Sequence, residues 1–296
     1  MHSSSSSPIY SPGDRWFGRI NLLLLLTFAL CTLYPLVYVT SIALSSGEAA
    51  SEGRVWLWPV EFTFAAIEHV LHNSLFWTSY ANTFFYTVVG TLTSLAFIIP
   101  AAYALSKPRL RARRIFGFFI AFTMWFSAGM IPFYLNLRDL DLLDSRWGIV
   151  IAFAVNAFNL ILMRNFFESV SPSFEEAARM DGANDFQILW KVYMPLAKPA
   201  IATVAMLCAI SRWNGYFWAM VLLRDESKIP LQVYLKKVIV EVSLSEGEAA
   251  NMASLGYSLE TVTGAIIVLS IIPVMLMFPL MQKYFTKGTM MGGVKE

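Results

Sequence analysis

Six stretches of this chain are apolar for long enough to cross the hydrocarbon core of a bilayer, which takes roughly 20 helical residues. They run from about Ile20 to Leu44, Tyr80 to Leu105, Ile115 to Leu137, Trp147 to Met163, Ala200 to Leu223 and Val262 to Met281. The expected fold is therefore an all-α integral membrane bundle of six transmembrane helices. Composition agrees, since 57% of the 296 residues are hydrophobic and only 14% are charged, against about 25% charged in ordinary soluble proteins. Transmembrane strands would instead alternate apolar and polar residues.

Six spans put both termini on one side. With that side assigned to the cytoplasm, fourteen of the 22 Lys and Arg fall inside and seven outside, with Arg212 alone within a span. Cations accumulate on the cytoplasmic side of short loops, so both termini are expected to be cytoplasmic. The last outer loop runs against the trend. Residues 1–16, beginning MHSSSSSPIYSPGD, are too poor in apolar side chains to pack and are expected to form a flexible tail. Residues 17–296 then make one six-span transmembrane domain. The first span is too long for a signal-peptide core and reads as retained. Cys31 and Cys208 both fall in spans without CxxC spacing, so they read as packing residues.

The loops offer several competing chemistries. On the outer side, WLWP at Trp56–Pro59 precedes an amphipathic stretch, 65–77, expected to lie at the interface. His69 and His72 within it have metal-ligand spacing but no third ligand nearby. KPRLRARR, 107–114, reads as the positive-inside anchor between two spans rather than a nucleic-acid site. In RDLDLLDSR, Asp139, Asp141 and Asp144 would suit a magnesium-dependent membrane enzyme, but this loop falls on the outer side, and a solvated turn is the plainer expectation. A self-contained secondary transporter would carry acidic residues within its spans. All 20 acidic residues lie outside the six windows.

The one strongly polar interruption is EEAARMDGANDFQILWKVYMPLAKPA, 175–200. Ser173 and Glu176 have capping-box spacing, so a helix is expected to start there. Phe174, Ala177 and Ala178 share one face of it, and Gly182 ends it. Asn184 and Gln187 repeat the capping spacing, and Phe186, Leu189, Trp190 and Tyr193 then fall at i, i+3, i+4 and i+7 before Pro195 and Pro199. Periodicity alone allows either an interfacial anchor or a docking site for a soluble partner.

Glu176, Ala177, Ala178, Gly182, Val192 and Pro195 resemble the motif E-A-A-x3-G-x9-I-x-L-P of ABC importer permease subunits, with Val192 and Met194 replacing Ile and Leu. The likeness runs from about Ile20 to Glu296, through PAAYALSK, GMIPFYL, RWNGYFW and KGTMMGGVKE, to the carbohydrate-uptake branch typified by the smaller maltose-system permease. The resemblance implies the type I importer permease fold in a bacterial cytoplasmic membrane. It makes 173–195 the coupling segment, with Glu176, Ala177, Ala178, Gly182, Ala183 and Pro195 at a cytoplasmic ATPase, and makes 286–296 a tail whose Gly292, Gly293 and Lys295 reach the ATPase dimer. It also implies a second homologous permease, two ATPase subunits and an external solute-binding protein. The chain itself has no GxxxxGK[ST] loop, so no cofactor is expected on it, and ATP and magnesium belong to the ATPase subunits. The expected role is non-catalytic.

Substrate contacts are expected within the spans. Arg212 is the only ionised residue in one of the windows, and such a charge is costly enough to signal function. Trp213, Asn214, Tyr216 and Trp218 beside it supply aromatic faces and an amide, which suit a sugar, and a guanidinium suits a carboxylate. Two readings stay open: Arg212 meets an acidic, uronate-containing oligosaccharide, or it neutralises an acid on the partner permease while the aromatics pack between helices. The FNLILMRNFF and PLQVYLKKVI segments resemble the alginate and aldouronate branch, which implies the acidic sugar; a neutral oligosaccharide is the alternative.

Overall fold

The computed structural model describes residues 12–242 and 255–289, and the regular elements among them are all helical. They cluster into two compact units, one drawn from residues up to Val70 and from Glu241–Leu269, the other from Leu71–Val240 and from Ser270 onward.

In the first unit, α1 covers Pro12–Ala43, so helix begins inside the stretch expected to be a tail; residues 1–11 lie outside the described residues. Leu22 to Leu26 are each more than half exposed, a surface that only lipid or another apolar protein can cover. After it come α2, Gly47–Ser51, and α3, Ala65–His72. The connection is tied back by side chains: Ser41 Oγ donates to the Leu57 carbonyl at 2.7 Å, and Ser45 Oγ accepts from Val60 N–H at 3.0 Å. Gly47 lies so close to Tyr257 that a Cβ there would be 2.4 Å from its carbonyl carbon. His69 stacks on the Tyr257 ring at 4.5 Å, which gives this histidine a packing role.

In the second unit α4 is one continuous helix, Ser74–Ser106, and Asn73 caps it by accepting from Leu75 and Phe76 N–H. The second span thus starts at Ser74 rather than Tyr80, and the amphipathic stretch is divided between α3 and the first turn of α4. The next windows are not straight. The third splits into α5, Arg113–Trp125, and α6, Met130–Asp139, bent by 117°; Gly129 at the break has φ +89, which glycine alone adopts freely. The fourth splits into α7, Arg146–Ala152, and α8, Ala157–Ser169, bent by 49°, where the Asn156 side chain accepts from Asn159 N–H and restarts the helix.

The polar stretch forms α9, Pro172–Met180, then α10, Asp185–Ile188, a π-helical turn, Leu189–Tyr193, and the short α11, Met194–Leu196. An 83° bend leads into α12, Lys198–Trp213. The fifth window therefore ends at Trp213, with α13, Phe217–Leu222, beyond a turn, then α14, Leu231–Val242. The last helix, α15, is Leu259–Thr289. Ile98 and Ala102 of α4, Met163 and Phe167 of α8, Ile188, Tyr193 and Val204 form one buried apolar cluster, so α4 is the element around which the unit packs.

Away from that cluster, Asp144 ties two loops together. It accepts from the backbone N–H of Arg224 and Asp225 at 3.0 and 3.1 Å and from Lys228 Nζ at 3.0 Å. Those donors, the Asp225 N–H first, hold its carboxyl down at about 2. Of the three carboxylates in this loop with metal-ligand potential, Asp144 is a clamp on its neighbour. A folded-state value below the ordinary one near 4 means that the stabilisation is complete above that pH and is lost as pH falls towards 2. Asp144→Asn should lower the unfolding temperature in detergent at pH 7 by roughly 2–4 °C, the shift for about 1 kcal/mol at this size, and the difference from wild type should shrink as the pH is taken below 4.

Candidate functional site

A cavity of about 620 Å³ opens where α4, the α7–α8 break and the end of α12 meet; its walls include Tyr86, Ser94, Phe153, Asn156, Asn159, Ser211, Arg212, Asn214, Tyr216 and Trp218. Irregular backbone at membrane depth persists where it is buried in protein or lines a cavity, and this break does both. The carbonyls that α7 leaves unpaired are taken up by Arg212. Its Nη1 donates to Ile149 O at 2.8 Å, and its Nη2 to Val150 O and Phe153 O at 3.1 and 2.6 Å. Gly90 makes room for this, since a Cβ there would lie 3.1 Å from the guanidinium carbon.

Arg212 thus has a backbone role that neither sequence reading anticipated. Four of the five candidate residues, Arg212, Asn214, Tyr216 and Trp218, line the cavity. Trp213 is not among the lining residues: it is buried, edge-on to Phe84 at 5.3 Å and Tyr80 at 6.1 Å. Sequence reasoning overlooked Asn156 and Asn159. Two amides three residues apart in the apolar run AFAVNAFNLIL were the available signal, because unpaired amides are expensive in such a setting.

A second arrangement surrounds the C-terminal end of α4. Pro172 is the first helical residue of α9 and Ser171 precedes it as the cap, which displaces the expected start at Ser173: proline suits the first helical position because its missing N–H would have no partner there. Gly182 has φ +80, and Ala183 N–H donates to Ala178 O at 3.0 Å, closing the helix as expected of a glycine C-cap. The Asn184–Gln187 box forms with both reciprocal bonds, at 2.9 and 3.0 Å. The π-helical turn then divides the expected single face: Leu189 and Tyr193 are buried, while Phe186 and Trp190 stay 70% and 50% exposed. Pro195 sits inside α11, and the helix is interrupted at Ala197.

Of the two glutamates, Glu175 turns inward and Glu176 outward. Glu175 receives Lys107 Nζ at 2.6 Å, Arg179 at 3.0 Å and the Tyr193 hydroxyl at 3.1 Å. Asp185 pairs with Arg109 and, at 2.6 Å, with Arg179; Glu168 pairs with Arg113 and, at 2.7 Å, with Arg164. The basic loop 107–114 is therefore more than a topological anchor, because three of its cations hold α8, α9 and α10. Ala177 is exposed with Glu176, and Ala178 packs against the core cluster. Gly292, Gly293 and Lys295 lie outside the described residues.

Arg212→Ala would leave three helix-end carbonyls without their donor, at about 1–3 kcal/mol for each buried group that stays unpaired. It should lower the unfolding temperature in detergent, and Arg212→Lys should recover only part of the loss because an ammonium lacks the planar fork. An unchanged temperature would mean that other donors or water satisfy the carbonyls.

Comparison with known proteins places this geometry in a family. Residues 73–291 match the profile of the binding-protein-dependent transport system inner membrane components. Among curated relatives, the polygalacturonan/rhamnogalacturonan transport system permease protein YtcP of Bacillus subtilis is 37% identical over 95% of this chain and 99% of its own. Protein LplC of the same organism is 33% identical over 95% of each chain. A solved bacterial ABC transporter involved in the import of the acidic polysaccharide alginate contains a chain 68% identical to this one, with a TM-score of 0.89, over 94% of this chain and 100% of that one. The chain belongs to the binding-protein-dependent transport system inner membrane components and is a permease subunit of an ABC importer with the type I permease fold.

Proposed function

We propose that this permease passes an acidic, uronate-containing oligosaccharide across a bacterial cytoplasmic membrane, with both termini cytoplasmic, and that it does so beside a second homologous permease. ATP and magnesium are handled by two ATPase subunits docked below, and an external binding protein delivers the sugar. The observation that carries the ATPase contact is the division of labour between Glu175 and Glu176. Ion pairs fix α9 from within, which leaves Glu176 facing outward on a platform whose exposed apolar residues are Phe174, Met180, Phe186 and Trp190. An exposed acid on a helix pair that also exposes apolar side chains suits a cleft on a soluble partner that offers a cation and an apolar floor.

The acidic substrate is supported by the chemistry named for the relatives, alginate for the 68% identical structure and polygalacturonan for the 37% identical permease. In the cavity Asn156, Asn159, Asn214 and Ser211 can meet hydroxyls while Tyr216 and Trp218 offer ring faces. Arg212 would act at longer range, setting a positive potential while its fork stays on the α7 carbonyls. That occupied fork is also what favours the second reading, a neutral oligosaccharide.

The test is ATPase stimulation in vesicles that hold the assembled transporter and its binding protein, titrated with oligouronates and with neutral oligosaccharides of equal length. Oligouronates should stimulate hydrolysis and neutral sugars should not; the reverse pattern would establish the neutral substrate. Glu176→Lys should reduce stimulation by at least about tenfold, the scale of placing a like charge opposite a cation at an interface, and should reduce capture of the ATPase subunit. Unaltered stimulation and capture would mean that α9 and α10 only anchor the spans.

A further inference from the structure

Lys107 is the residue at which α4, α9 and the π-helical turn meet. It is the C-cap of α4, and its side chain is only 8% exposed. The ammonium lies 3.7 Å from the centre of the Tyr193 ring and 4.3 Å from that of Tyr103. Glu175 Oε2 is 2.6 Å away and accepts from the Tyr193 hydroxyl as well, at 3.1 Å. A cation set between two ring faces and one carboxylate has its attractions directed at three elements at once.

The neighbouring pairs differ in kind. Among the ion pairs of the described residues, Lys107–Glu175 alone has both side chains less than a fifth exposed, at 8% and 17%. Arg109 and Arg179 meet Asp185 with side chains 38–58% exposed, where such contacts contribute little and are screened by salt. Burial pushes the Lys107 ammonium below the ordinary lysine range, and Glu175 works against that shift. Removing one member of a buried pair strands the other, so this contact holds its geometry where the rim pairs can exchange.

The geometry points to Lys107 as the positioning residue that passes displacement of α9 to α4: clamped between Tyr103 and Tyr193 and bonded to Glu175, it makes the three elements move together. This rests on the reading of α9 and α10 as the ATPase contact. From Lys107, α4 runs as a single helix, with Pro100 inside it, past Ser94 in the cavity wall, about 20 Å away at 1.5 Å per residue. Ser94 lies against Arg212, at 3.5 Å from its Nη2, and Arg212 holds the carbonyls of the broken fourth span. A shift of α4 along or about its axis would therefore reach the cavity wall.

The experiment uses the assembled transporter in vesicles with its binding protein and reads sugar imported per ATP hydrolysed, together with capture of the ATPase subunit. Lys107→Met keeps the stem and removes the charge. It should leave ATPase capture intact and lower the import ratio on the order of tenfold, within the usual range for coupling between sites. Lys107→Arg, which restores a cation between the rings, should recover most of the ratio. Lys107→Met combined with Glu175→Gln should be no worse than either change alone. Arg111→Met and Arg114→Met, at exposed cations of the same loop, should leave the ratio unchanged.

An unchanged ratio in Lys107→Met, or an equal loss in Arg111→Met, overturns the proposal. If Lys107→Met does not assemble, Tyr193→Phe decides, since it keeps both rings and removes only the hydroxyl bond to Glu175: a lowered ratio supports the link and an unchanged one sinks it. Glu176→Lys run in parallel separates the two ideas. Full ATPase capture in that variant would remove the docking reading itself, whereas lost capture there with an unaffected Lys107→Met would remove only the role of Lys107.

Discussion

A transmembrane helix interrupted partway along must pass its freed carbonyls to some donor other than lipid, and the second unit is arranged around how that is done for the fourth span. Arg212 reaches from α12 to three carbonyls of the α7 end. Gly90 on α4 leaves room for the contact, since a Cβ there would lie 3.1 Å from the guanidinium, so one arginine sits tightly between α4, α7 and α12. The cost of taking a charge out of water is offset by hydrogen bonds to dipoles that would themselves be costly unpaired. The result is a break that can be kept open, and the open break is one wall of the cavity. Asn156 completes it by capping α8 from the far side.

The polar end of the same unit is held by different physics. Most of its ion pairs are partly exposed, and singly each is worth at most about 1 kcal/mol. Their effect lies in number and geometry: Lys107, Arg109 and Arg113 come from one short loop and reach Glu175, Asp185 and Glu168 on three helices. That network fixes which glutamate of the EEAA sequence faces inward. The first turn of α9 has no side-chain cap, so these ion pairs are its polar ties to the unit. An ion-paired platform on the core cluster holds its geometry while keeping a polar outer face.

The sequence made some of this legible through local chemistry. The Asn184–Gln187 box, the turn at Gly182 and the existence of a helix pair between two spans were all written in short-range patterns whose partners lie within five residues. The start at Ser173 was misread because capping spacing was weighed without the stronger preference of Pro172 for the first helical position. The broken spans were hidden because hydropathy averages over a window, and one Gly129 or one Asn156 barely lowers it. The partners of the basic loop were hidden for another reason, since Lys107, Arg109 and Arg113 bond to residues 68, 76 and 55 positions away. Arg212 marked itself as unusual, but its partners are backbone carbonyls, which every residue has and no sequence distinguishes.

Set beside one another, the broken and unbroken helices of this unit suggest how a permease can be rigid and convertible at once. A helix broken at a cavity has two halves that can be reoriented with little loss of hydrogen bonding, since the freed groups already have side-chain partners. An unbroken helix cannot absorb a displacement in this way and must move as a rod. In this unit α4, a single helix that contains Pro100, is the rod, α5–α6, α7–α8 and α11–α12 are the jointed elements, and α4, α7 and α12 meet at Arg212 while α4, α8 and α12 share the buried cluster. Packed interiors shift between discrete arrangements rather than deforming smoothly, so a rod fixed between two jointed neighbours would tend to switch rather than drift. Two of the charged residues sit where such a switch needs direction: Arg212 at the joint and Lys107 at the end of the rod.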